Sequence, residues 1–174
     1  MNIDLMYARY NQAGNQVIYH ILSKLSNDEQ EQDRGSFYGS LSGLLLHIMG
    51  GTQYFLSLYK ETLKDNDAIV KALAPIEGIT MPEGKLSDAQ WKELGASLDK
   101  LDAAYVKMAA ALGTADLEKP VAIDWYGGNP AEVPLQFMLH QLVTHNIHHR
   151  GQISQILDSL KIDNDYSGIN VAFM

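Results

Sequence analysis

Apolar residues recur at helical spacing through most of the chain. Ile3, Met6, Tyr10, Val17, Ile21 and Leu25 predict a first helix over residues 3–25. The polar run from Ser26-Asn27-Asp28 to Arg34-Gly35 predicts a break. A second helix is expected from Ser36 or Phe37 to about Lys64, with Phe37, Leu41, Leu44, Ile48, Phe55 and Tyr59 on one stripe. Two prolines and two glycines make residues 65–86 a long connection, with a helical turn around Ala68–Leu73. Ser87 and Gln90 have the spacing of a capping box, so a third helix starts there. Gly113 ends it near Leu112. Val121–Trp125, a Tyr-Gly-Gly-Asn-Pro turn and Ala131–Val133 read as a short β-hairpin. Pro134 suits the first turn of a fourth helix, which runs to about Leu160, and the tail Lys161–Met174 is expected to be irregular. The pattern predicts an all-α fold in one domain over 1–174. It is a four-helix bundle with a long crossover connection and a short β-hairpin insert before the last helix.

Histidine placement adds chemistry to this frame. On a wheel advancing 100° per residue from Leu142, the core stripe of the last helix holds Leu135, Met138, Leu139, Ile153, Ile156, Leu157 and Leu160. His149 falls about 20° from its centre and His145 about 60°, both on one side, with Gln152 at about 80°. His140 faces solvent and His148 the flank. His145 and His149 therefore form an i, i+4 pair facing inward, a spacing at which two imidazoles reach one cation. On the second helix His47 lies in a narrow stripe with Ser40, Gly43, Gly50, Gly51 and Tyr54. Three glycines in a helix interior are costly, about 1 kcal/mol each relative to alanine. They point either to a groove kept open or to close helix packing. His47 would complete a three-histidine set with open positions. The same placements also suit metal-free histidines hydrogen-bonded within a core.

Composition narrows the classes. The 174 residues contain no cysteine, which excludes disulfides and thiolate ligands and leaves a transition metal only His, Asp or Glu. The formal net charge is −8, and thirteen basic residues are scattered without a stripe, so nucleic-acid binding is not expected. The start, MNIDLMYARYNQ, has no basic-then-apolar signal pattern, and Leu44–Leu58 is too interrupted to cross a bilayer. A cytoplasmic protein without a membrane partner is expected. No G-x-S-x-G, P-loop or dinucleotide fingerprint occurs.

Thr144-His-Asn-Ile-His-His-Arg-Gly-Gln-Ile153 resembles the closing-helix signature of the DinB/YfiT-like superfamily, the damage-inducible DinB family. Asp33-Arg-Gly-Ser-Phe-Tyr-Gly-Ser-Leu-Ser-Gly-Leu-Leu-Leu-His47 is similar to that family's approach to its first ligand. The resemblance implies an antiparallel bundle, frequent homodimers and a divalent-metal site, often zinc or nickel, whose three ligands fall on His47, His145 and His149. It implies thiol-dependent S-transfer or metal-dependent hydrolysis of a small-molecule substrate, with a low-molecular-weight thiol as one candidate. The alternative is a non-catalytic metal-binding or stress-related interaction protein. Many relatives carry an acidic residue one turn after the first histidine, where this chain has Gly50-Gly51-Thr52, and polar residues before it, where this chain has Leu44-Leu45-Leu46.

Among the remaining residues, Arg150 is expected to form an ion pair between helices or at a dimer contact. Gln152 suits a hydrogen bond to an imidazole or a metal-bound water. His148 is a bystander or a proton shuttle, and Tyr54 packs or contacts substrate. Trp91 and Trp125 are expected to anchor the core and the hairpin. Asp163 or Asp165 from the tail is a conceivable fourth ligand. Neither Gln152 nor Tyr54 is a good general base at neutral pH.

Overall fold

The computed structural model describes residues 2–124 and 131–170. It is mostly helical, with a two-stranded antiparallel sheet. The elements run α1 (Ile3–Leu22), α2 (Asn27–Glu31), α3 (Leu41–Thr62), α4 (Asp67–Leu73), a 3-10 turn (Ala74–Ile76), α5 (Asp88–Ala111), α6 (Thr114–Leu117), β1 (Pro120–Ile123), β2 (Ala131–Pro134) and α7 (Leu135–Ser159). Of the long helices, α5 packs on α1 and α3, and α7 packs on α3 and α1. The strands pair in the register Val121↔Val133 and Ala122↔Glu132, which delivers the chain to the start of α7. The turn between them, including Trp125, lies outside the described residues.

Local chemistry sets the helix starts. Ser87 accepts from the Gln90 backbone N–H and the Gln90 side chain returns to the Ser87 N–H, the expected capping box. Ser26 and Glu29 make the same reciprocal pair and nucleate α2 inside the expected break. The second long helix starts at Leu41, not at Ser36 or Phe37. A tight turn intervenes, with Gly39 at φ +73° and its N–H bonded to the Ser36 carbonyl, and Ser40 caps the helix by accepting from the Gly43 N–H. Phe37 consequently leaves the expected core stripe and is 92% exposed.

The core is continuous through the long helices, with Leu41, Leu44, Leu45, Ile48, Leu56, Tyr59, Leu101, Tyr105, Leu135, Leu142 and Leu157 fully buried. The Tyr59 hydroxyl donates to the Met138 carbonyl at 2.5 Å, linking α3 to α7. On α1 the buried face is offset from the apolar stripe. Ile3 is exposed and Val17 and Ile21 are half-buried, whereas Asp4, Asn11, Gly14 and Asn15 are buried.

Two of those polar residues, Asn11 and Asn15, bridge a buried charge pair. Arg150 of α7 and Asp102 of α5 are 2% and 0% exposed. Arg150 Nη1 donates to Asn11 Oδ1 (2.8 Å) and Asn15 Oδ1 (3.2 Å). The same two amides donate from Nδ2 to Asp102 Oδ1, at 3.0 and 3.1 Å. Each asparagine thus bridges cation to anion, and the guanidinium also lies over the Tyr10 ring at 4.8 Å. Arg150 points inward, where it bridges to Asp102 through the two amides. The tail packs on the same point: Tyr166 is buried and its hydroxyl donates to the Arg150 carbonyl at 3.0 Å.

Burial pushes the Asp102 carboxyl up from 3.8 to about 7, against the lowering effects of Asn15, the Arg150 charge and Asn11. A raised folded-state pKa means that the native protein holds a proton that the unfolded chain releases. The resulting stability is fully present below the unfolded value near 4 and is lost as pH rises through about 7. Asp102→Asn removes this slope. In paired thermal melts, the Tm of wild type minus that of the variant should fall between pH 4 and pH 7. A difference that is flat over that range contradicts the assignment.

Candidate metal centre

Helix α3 carries His47 about two turns from its cap, and α7 carries His145 and His149 on the face turned toward α3. Their ligand-capable nitrogens all lie within 4.8 Å of one another. The ring centroids are 4.4 Å (His47–His149), 4.6 Å (His145–His149) and 4.8 Å (His47–His145) apart. His149 is buried, and the other two are partly buried. The Nε2 atoms of His145 and His47 approach to 2.9 Å.

Each α7 histidine has an oxygen against its other nitrogen. Gln152 Oε1 is 2.8 Å from His149 Nδ1, the bond to an imidazole expected of that residue. Asn146 Oδ1 is 3.0 Å from His145 Nδ1. With Nδ1 donating to an oxygen, Nε2 keeps the lone pair that a metal needs. Burial, then the neighbouring His149 and His145 rings, hold His47 down to about 4. Burial likewise lowers His149, with the Gln152 bond opposing it. His47 is therefore neutral near pH 7, as a ligand must be.

The glycines divide by role. A Cβ on Gly51 would meet His145 Cε1 at 2.6 Å, so this glycine is the space the imidazole occupies. A Cβ on Gly43 would meet the Tyr38 carbonyl oxygen at 2.1 Å, so it seats the turn that precedes α3. A Cβ on Gly50 would meet nothing within 4 Å. The turn Gly50-Gly51-Thr52 thus admits His145 through Gly51, and Thr52 accepts from Asn146 Nδ2 at 3.1 Å.

Tyr38 is the aromatic that the sequence pattern did not single out. Its ring stacks on His47 at 3.8 Å and 19° and meets His149 edge-on at 5.4 Å. The expected helix over 36–40 hid it; the Gly39 turn is what brings it over the imidazole. Asn146 was missed too, although it lies only about 40° from Leu142 on the wheel, a polar residue in the core stripe. Tyr54 is half exposed, in contact with Phe55. His148 is exposed, its ring 4.8 Å from that of His149. His140 is exposed beside Asp4 and Tyr7. Trp91 is buried against Tyr19. Among the described residues no carboxylate joins the histidine group, and Asp165 instead accepts from Ser167.

The DinB family model matches residues 1–160. The chain belongs to the DinB family. No curated protein and no solved structure matches it. Membership and the three-histidine cluster are together compatible with metal binding by this DinB chain. No helix among the described residues is long and apolar enough to cross a membrane.

The glycine contrast is testable in this DinB protein. Gly51→Ala forces His145 out of place and, where the cluster takes up zinc, should weaken that binding about tenfold or more, the scale of a disturbed ligand shell. Gly50→Ala should leave zinc binding unchanged and raise stability by about 0.5–1 kcal/mol. Competition with a chromophoric chelator and thermal melts read both effects. Equal zinc affinity in the two variants contradicts the packing role of Gly51.

Proposed function

We propose that His47, His145 and His149 are the ligands of a divalent transition metal, zinc or nickel, and that the chain is a metal-dependent enzyme. The observation that carries this reading is the convergence of three imidazoles, two of them held Nδ1-outward by Asn146 and Gln152. Three nitrogen ligands leave coordination open, as in catalytic rather than closed structural sites. The four long helices are read as an antiparallel bundle, supported by the contacts of α1 and α3 with both α5 and α7. We read the protein as cytoplasmic and homodimeric.

Of the two reactions the family suggests, S-transfer from a low-molecular-weight thiol fits better than hydrolysis. A bound divalent cation lowers the pKa of a thiol and makes it a nucleophile at neutral pH. Among the described residues, the side chains bonded to or stacked on the three rings are two amides and a phenol, Gln152, Asn146 and Tyr38, none of them a usual general base, and the exposed His148 meets only the edge of His149. A thiol that ionises on coordination needs no protein base. Its sulfur would bond to an electrophilic carbon as the bond from that carbon to its leaving group breaks, with the thiol proton passing to solvent. Gln152 and Asn146 would hold the imidazoles in place, and the Tyr38 ring would cover His47 and limit water.

Metal analysis of untagged protein tests the ligand set. Wild type should hold about one equivalent of metal after reconstitution, and His145→Ala should lose most of it. Stoichiometric metal unchanged in the variant would overturn the set. In a screen of reconstituted protein, thiol-dependent consumption of an electrophile is expected ahead of ester or amide cleavage. Hydrolysis without thiol would reverse the preference, and inactivity alongside a fourth protein ligand would favour a non-catalytic metal protein.

A further inference from the structure

We infer that the buried Arg150–Asp102 pair fixes the tautomer of His145 from a distance, through Asn11 and Asn146. The purpose of that tautomer rests on the reading of His145 as a ligand; its existence does not.

Which groups can donate and which can accept orients every amide in this hydrogen-bond chain. A guanidinium donates and never accepts. Arg150 Nη1 is 2.8 Å from Asn11 Oδ1, so that atom is the amide oxygen, and the amide nitrogen faces Asp102 Oδ1 at 3.0 Å, where a carboxyl oxygen accepts. Asn15, bonded in the same sense to both charges, repeats the arrangement. The orientation of Asn11 is thus dictated from both ends. The Arg150 end dictates it whether or not Asp102 is ionised.

Asn11 Oδ1 also accepts from Asn146 Nδ2 at 2.9 Å. The Thr52 hydroxyl donates to the Ile48 carbonyl at 2.8 Å, which leaves its oxygen to accept from the same Nδ2 at 3.1 Å. Both hydrogens of the Asn146 amide are therefore engaged, and its oxygen faces His145 Nδ1 at 3.0 Å. An amide oxygen only accepts, so Nδ1 carries the proton and Nε2 the lone pair. Turning Asn146 over would set its carbonyl against Asn11 Oδ1 and break both bonds in a fully buried site, at a cost that burial makes large. His149 differs, because its partner Gln152 is local, three residues on. Arg150, Asp102, Asn11 and Asn146 are positioning residues. They tie the ligand state of His145 to the correct docking of α1 and α5 on α7.

Long-range 1H–15N correlation spectra of histidine-labelled, chelator-treated protein read the tautomer directly. Wild-type His145 should show a protonated Nδ1 and an unprotonated Nε2. Asn11→Leu, which touches no histidine, should shift signal to the Nε2–H form and weaken zinc binding about tenfold. Asn11→Asp keeps an acceptor oxygen for Arg150 and Asn146 and should restore the Nδ1–H form. An Nε2–H tautomer in wild type overturns the inference with no variant needed. So does a folded Asn11→Leu with wild-type spectra. Metal stoichiometry of the wild type is a separate readout, so failure of the ligand reading and failure of the relay are distinguishable.

Discussion

Arg150 and Asp102, buried where α1, α5 and α7 meet, govern how these helices pack. Both groups are withdrawn from water, and a buried charge without partners would cost several kcal/mol. Two asparagines of α1 stand between them and answer each charge with the matching end of an amide. This requirement fixes how α1, α5 and α7 meet. It explains why α1 turns Asn11 and Asn15 inward and leaves Ile3 in solvent. It also places Asn146, one turn before Arg150 on α7, against Nδ1 of His145, which leaves Nε2 turned toward the cluster.

The opposing helix contributes space as much as chemistry. His47 needs α7 close enough for three imidazoles to converge, and Gly51 permits that approach by giving its side-chain volume to His145. The turn before α3 then closes over the cluster through Tyr38, seated on Gly43. The site is therefore assembled from one histidine on a close-packed helix, two on a helix oriented by buried charge, and one aromatic lid from a turn. Three imidazole nitrogens gather there without a carboxylate among the described residues, a donor set that could hold a metal ion.

Much of this was legible in the sequence, and the limits have physical reasons. The helical stripes, the Ser87–Gln90 capping box, the turn at Ala68–Leu73 and the hairpin strands all correspond to observed elements. The i, i+4 spacing of His145 and His149, with His47 on a glycine stripe, located the cluster because helical periodicity converts spacing into direction. The same rule misplaced Phe37, because apolar periodicity continued through a segment that Gly39 and the Ser40 cap had already turned. Ser26 and Glu29 had carried the capping-box signal for α2, masked by the surrounding polar run. The polar network was harder to see. Asn11, Asn15, Asp102 and Asn146 are far apart in sequence, and a polar residue at a core position becomes interpretable only when its partners are in place.

The proposed centre stands on three imidazoles holding one metal. The most direct test is anomalous diffraction from zinc-loaded crystals, recorded on both sides of the zinc absorption edge. One strong peak is expected at about 2.0–2.1 Å from a nitrogen of each of His47, His145 and His149. A full-occupancy zinc peak elsewhere, with His145 still bonded to His47 and His149 to Gln152 alone, would contradict it.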